Sequence, residues 1–243
     1  MQHRRIAFAI VAAISVALGP GMACSAEKVI VAFGDSTTAP RGDLPIYSLL
    51  LQKALAAQGL STKVVNAGVG GNTTVNARAR FEKDVLARNP RLVIIQFGIN
   101  DAAVNVWKSP PATQPDVSLQ DYEANLRYFV QTLRKLRAEA VLMTPNPCRW
   151  TKQLLELYGK PPHRPDDPDG YNVLLRRYAD AVRRIASQEK TPLVDVYEAF
   201  QAYDREPGQS IDDLLLDGMH PNAKGHELVA KLLLSFKRIG WSF

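Results

Sequence analysis

"KVIVAFGDST", residues 28–37, decides the fold. Val29 to Phe33 is an unbroken apolar run, and it stops at Gly34. A strand with one face in water alternates apolar and polar residues; a continuous run is what a parallel strand covered on both faces requires. Immediately after it comes "GDST", a turn sequence carrying Ser36. A strand of this kind needs helices above and below it, so the rest of the chain is read for them.

Outward from residue 37 the pattern repeats. "DLPIYSLLLQKALAAQG" places Leu50, Leu51, Ala54 and Leu55 at helical spacing, with Gly59 as its stop. "TKVVNAG" reads as a second strand, residues 75–87 as a helix, and "RLVIIQFG" as the third strand. Ser118 caps a long amphipathic helix in which Tyr122, Leu126, Phe129, Val130, Leu133 and Leu136 share one face. "EAVLMT" is a fourth strand, residues 171–187 a helix, "TPLVDV" a fifth strand, and residues 223–236 a closing helix that Pro221 starts. Repeated β-α-β units imply a parallel sheet, because parallel neighbours need right-handed crossovers. The expected fold is a three-layer α/β/α, flavodoxin-like domain with a five-stranded parallel sheet. Two long proline-rich segments, residues 102–117 and 145–170, each follow a strand, so they belong at the carboxyl edge, where open α/β sheets bind ligands.

Four polar clusters fall at that same edge: "FGDSTT" with Ser36, "NAGVGGNTT" with Gly70-Gly71, "FGINDA" with Asn100, and "DGMH" with Asp217 and His220. Each alone has a plain explanation as a turn or a helix cap. Together they suit acyl transfer. A serine hydroxyl is a weak nucleophile at neutral pH and needs an adjacent base; His220 supplies one, with Asp217 fixing its tautomer. The oxyanion formed on attack needs donors, and the backbone N–H groups of Ser36 and Gly71 and the Asn100 amide are suitable. His226 falls inside the last helix and is assigned no role.

In this order "GDS", the glycine turn, "GIND" and "DGMH" resemble the successive blocks of the SGNH, or GDSL-type, hydrolase superfamily. The resemblance runs from Val29 to the last helix. It implies a serine esterase without cofactor or metal: Ser36 as nucleophile, His220 as base with Asp217 behind it, and Ser36, Gly71 and Asn100 as the oxyanion hole. Thr37 replaces the Leu of the family's name. Gly71 is chosen over Gly70 by its alignment on Asn66. No serine lies in a Gly-x-Ser-x-Gly elbow, which argues against the larger α/β-hydrolase class.

The N-terminus has the layout of a secretory signal: Arg4-Arg5, an apolar run from Ile6 to Leu18, a Gly-Pro-Gly break, then small residues ending at Ala26. Residues 1–26 are expected to be a signal peptide and 27–243 a single hydrolase domain, exported to the periplasm or secreted. Lipidation at Cys24 is the lesser alternative, since Gly21 stands where a lipobox has Leu. Without residues 1–26 the net charge falls from +6 to +4, with no basic block, which does not suggest nucleic acid. Cys148 is then the lone thiol, so neither a disulfide framework nor a Cys-His metal cluster is expected. No second stretch is apolar enough for an integral membrane segment. The expected partner is an ester substrate, an acylated glycan, with Trp107, Arg149 and Trp150 in the long loops as its contacts: tryptophan as a platform for a sugar ring, Arg149 for an acidic sugar. Short acyl groups, acetyl above all, fit a chain with no long apolar acyl tunnel. The rivals are a lysophospholipase or thioesterase of the same superfamily, and an inactive glycan-binding module. Oligomeric state is left open.

Overall fold

The computed structural model describes residues 27–235. Five strands, β1 (Lys28–Gly34), β2 (Thr62–Gly68), β3 (Leu92–Gln96), β4 (Glu139–Met143) and β5 (Leu193–Val194), form one sheet in the order β2-β1-β3-β4-β5. Every pairing is parallel. This is the doubly wound, flavodoxin-like arrangement expected from the apolar runs.

The unbroken runs have a direct physical use. Val31 and Phe33 of β1, Val93 and Ile95 of β3, and Leu142 of β4 enter one core; Ile30, Ala32, Leu92, Ile94, Val141 and Met143 enter the other. Successive side chains point to opposite faces, so both sets must be apolar. The first core lies under α2 (Thr74–Asp84), α4 (Leu119–Lys135) and α6 (Asn172–Gln188), and the second under α1 (Tyr47–Ala57), α7 (Val196–Asp204) and α8 (Ala223–Ser235). Phe33 is the hub of the first core, with ring centroids of Phe97 at 5.1 Å and of Phe81 and Phe129 at 5.5 Å.

Several boundaries differ from the sequence expectation. The helix expected over residues 75–87 is α2 followed by a short 3-10 turn, Leu86–Arg88. Leu136 does not join the buried stripe: it is the C-cap residue of α4 and is 59% exposed. The fifth strand shrinks to two residues because the Asp195 side chain accepts the Glu198 N–H and caps α7, an element the sequence reading left out. Pro221 does not begin α8. It pairs with Leu215 in an isolated bridge, and the Asn222 side chain accepts the Gly225 N–H ahead of the helix that starts at Ala223. The second proline-rich segment is not all loop; it holds α5 (Lys152–Tyr158), and α3 (Ile99–Ala102) opens the first. Residues 1–26, including the expected signal peptide and Cys24, and Phe236 at the end of the expected last helix lie outside the described residues.

Candidate active site

The turn after β1 is built by a buried acid. Asp35 is 1% exposed; its carboxylate accepts the Thr37 N–H and the Thr37 hydroxyl, both at 2.8 Å. Its backbone carbonyl accepts the N–H groups of Thr38 and Ala39. Ser36 is thereby held on a tight turn at the sheet edge. Burial raises the Asp35 carboxyl above its ordinary value, and the Thr37 hydrogen bonds oppose that rise. Thr37, which stands where the family's name has Leu, is what satisfies this acid.

His220 reaches Ser36 from the opposite end of the chain. Its Nε2 lies 2.9 Å from Ser36 Oγ, and its Nδ1 lies 2.8 Å from Asp217 Oδ2 and 3.0 Å from Oδ1. The Asp-x-x-His spacing works because the segment folds back on itself. Asp217 Oδ1 also accepts the backbone N–H groups of Met219 and His220, at 3.1 and 2.9 Å. Gly218 has φ +84, and a Cβ there would lie 2.4 Å from the Arg149 carbonyl oxygen, so only glycine suits the bend. Partial burial works against ionising Asp217, but the backbone and ring hydrogen bonds from His220 outweigh it and hold the carboxyl below its ordinary value. An ionised carboxylate facing Nδ1 keeps the proton on that nitrogen and leaves Nε2 free to accept from a hydroxyl.

Gly71 and Asn100, the residues expected as oxyanion donors, lie on the turns after β2 and β3. Asn100 Nδ2 donates to the Asn72 carbonyl at 3.0 Å. A side-chain amide carries two N–H groups, so a second donor remains. Gly71 sits one residue before Asn72, exposed and at φ +73, a conformation that glycine adopts without strain. Both turns are braced from beneath by Asp101, fully buried, whose Oδ1 accepts the Thr74 N–H at 2.8 Å and the Thr74 hydroxyl at 2.5 Å. Burial pushes the Asp101 carboxyl up to about 7, with the Thr74 hydrogen bonds acting the other way.

Beside the histidine a cavity of about 190 Å³ is lined by Gln153, Leu154, Leu157 and Tyr158 of α5, together with Asp217, Met219 and His220. The sequence reading put residues 145–170 at this edge but missed the helix within them, although Thr151 ahead of "KQLLELYG" is a helix-cap signal; its hydroxyl accepts the Leu154 N–H.

The three residues expected to meet substrate are placed differently from one another. Trp107 is 52% exposed, with its indole N–H donating to Asn105 Oδ1 at 3.2 Å; Tyr158 Oη lies 3.4 Å from the same oxygen. Arg149 is held by two carboxylates, Asp204 at 2.7 Å and Asp169 at 3.4 Å, and offers no free cation. Trp150 donates to the Asp167 carbonyl and packs edge-on against Tyr171 and His163, bracing the loop. His226 is buried in the second core, its Nδ1 accepting the Tyr47 N–H at 3.3 Å. Cys148 is buried and unpaired, and burial raises its thiol far above the ordinary range.

A serine hydroxyl, an imidazole and a carboxylate in one hydrogen-bonded line is the arrangement serine hydrolases use for acyl transfer. The chain belongs to the GDSL-like Lipase/Acylhydrolase family, whose model matches residues 32–228, and so to the SGNH hydrolase superfamily. It is a carboxylic ester hydrolase. It is similar to the "Uncharacterized lipoprotein YqeF" of Bacillus subtilis, 32% identical over 216 residues, 82% of this chain and 85% of the relative. An acetylxylan esterase of Geobacillus stearothermophilus is 32% identical over 187 residues, 76% of this chain and 75% of that protein. The crystal structure of Axe2, an acetylxylan esterase of the same species, superposes with a TM-score of 0.66 at 29% identity, covering 86% of this chain and 93% of that one.

Proposed function

We propose that this ester hydrolase works through an acyl-enzyme on Ser36 and removes short acyl groups, acetyl first among them, from carbohydrate. The observation that carries the reading is the line Asp217–His220–Ser36, with contacts of 2.8 and 2.9 Å. In it, His220 Nε2 takes the Ser36 proton as Oγ attacks the ester carbonyl. The N–H groups of Ser36 and Gly71 and the second Asn100 N–H stabilise the oxyanion. His220 then returns its proton to the leaving alcohol, and a water activated by the same nitrogen releases the acid. Asp217 stays ionised throughout and stabilises the imidazolium.

Two features support a short acyl group and a sugar alcohol. The cavity beside His220, about 190 Å³, is smaller than the ~300–1,000 Å³ of sites that bury drug-sized ligands. Trp107 and Tyr158 stand next to each other at its side, an exposed ring beside polar groups, which suits a sugar face. The likeness to acetylxylan esterase of Geobacillus stearothermophilus, in sequence and in structure, points the same way. Of the three contact residues read from sequence, Trp107 keeps this role in the proposal; Arg149 and Trp150 act by holding the loop. For the N-terminus we infer an export signal over residues 1–26 ahead of one hydrolase domain, a reading the lipoprotein relative supports. Among the described residues no helix is long and apolar enough to cross a membrane.

The test compares turnover of p-nitrophenyl acetate and octanoate, followed by acetate release from acetylated polysaccharides. Preference for acetate and release from a polysaccharide are expected; preference for octanoate contradicts the short-acyl reading and favours the lysophospholipase or thioesterase alternative.

A further inference from the structure

The two proline-rich segments enclose more than the catalytic pocket. Two neighbouring cavities of about 350 Å³ each share Thr113 and Pro162 in their walls and are read together as one groove. One wall comes from residues 104–119, the segment after β3; the other comes from residues 160–162 and from the first turns of α6. Lys160 lies at one end and Arg177 at the other, both exposed, and no Asp or Glu lines either cavity. Neighbouring cations are neutralised within the protein: Arg149 and Arg176 by Asp169, and Lys108 by Asp116, which Asn105 also binds. Lys160 and Arg177 have no such carboxylate among the described residues. The groove is also joined to the ester site. Tyr158, a wall of the His220 cavity, meets Asn105, which holds Trp107; Val106 between them lines the groove.

We propose that this groove binds the chain of an acidic polysaccharide, with Lys160 and Arg177 each facing a sugar carboxylate while the ester-bearing residue lies at Ser36. The inference rests on the glycan reading of the ester substrate and adds the charge and polymeric nature of that glycan. A low-dielectric cleft lined by one sign of charge concentrates the opposite sign. Thr113 and Gln114 supply neutral hydrogen-bonding groups between the cations, and the prolines supply apolar contact without a flexible side chain. Two cations are too few for a nucleic acid, whose binding rests on many phosphate contacts. The acidic-sugar role read from sequence for Arg149 thus passes to Lys160 and Arg177.

The experiment is affinity electrophoresis of the full protein in gels containing polygalacturonate, a probe without esters, so the outcome does not depend on catalysis. Three proteins are run: wild type, the reversal variant K160E/R177E, and the control K83E/R88E with the same change in charge on and after α2. Retardation of wild type and the control, weakened about tenfold in apparent affinity for K160E/R177E, is expected. All three are then assayed on p-nitrophenyl acetate, where equal turnover shows that folding and the ester site are intact. No retardation of wild type, equal loss in the control, or equal retardation by poly-glutamate overturns the proposal. Absence of p-nitrophenyl acetate turnover in wild type instead overturns the proposed esterase mechanism and leaves the groove result standing.

Discussion

Asn100 shows how much one side chain can carry. Its amide ties the β3 turn to Asn72 with one N–H, and in the proposed mechanism the other N–H serves the oxyanion. Asn100→Ala is expected to lower kcat on p-nitrophenyl acetate by ~10²–10³, the usual effect of losing one oxyanion donor, with little change in KM. Steady-state kinetics check this, and an unchanged kcat removes Asn100 from the proposed mechanism. At this scale the sequence was legible where a residue type has few uses in a turn: Ser36, Asn100, Asp217 and His220 all end up at one edge. It was silent about Asp35 and Asp101, because burial is what turns an ordinary turn acid into a structural one. It misjudged Arg149 because a cation's partner, here Asp204, lies 55 residues away.

Among the elements, α4 separates buried from exposed leucine and phenylalanine. Phe129 is fully buried against Phe33 and Phe81, whereas Leu136 stands beyond the last turn in water. Phe129→Ala is expected to destabilise the fold by about 3–5 kcal/mol and Leu136→Ala by less than about 0.5 kcal/mol, measured by urea unfolding. Equal effects contradict the packing described. The long helices and first four strands were readable because periodicity repeats several times within each. α5 and α7 were not, because seven- and nine-residue helices hold barely two turns of pattern. For α5 the omission mattered, since it forms one wall of the cavity beside His220.

For the whole molecule, pH reveals how α8 is anchored to α1. His226 accepts the Tyr47 N–H, and burial, with Arg41 and His220 adding to it, pushes its value down to about 4. The unfolded chain takes up this proton near 6.5, so stability is full above that pH and is lost as pH falls toward 4, by on the order of 3 kcal/mol from this group. Asp35 and Asp101, raised by burial, act with the opposite sign, losing stability as pH rises. The difference between wild type and His226→Gln therefore isolates the histidine. Its urea-derived stability is expected to fall less steeply between pH 7 and 4; parallel curves contradict the buried neutral His226.

The proposed catalytic line brings together residues 184 positions apart, and covalent capture of Ser36 tests it most directly. The protein is treated with a fluorophosphonate, which phosphonylates an activated serine, and the digest is examined by mass spectrometry. One phosphonyl group on the peptide containing Ser36 is expected, with parallel loss of p-nitrophenyl acetate turnover, and no such labelling in Ser36→Ala or His220→Ala. Inactivation with the label on another residue, or full hydrolysis retained by Ser36→Ala, contradicts the mechanism.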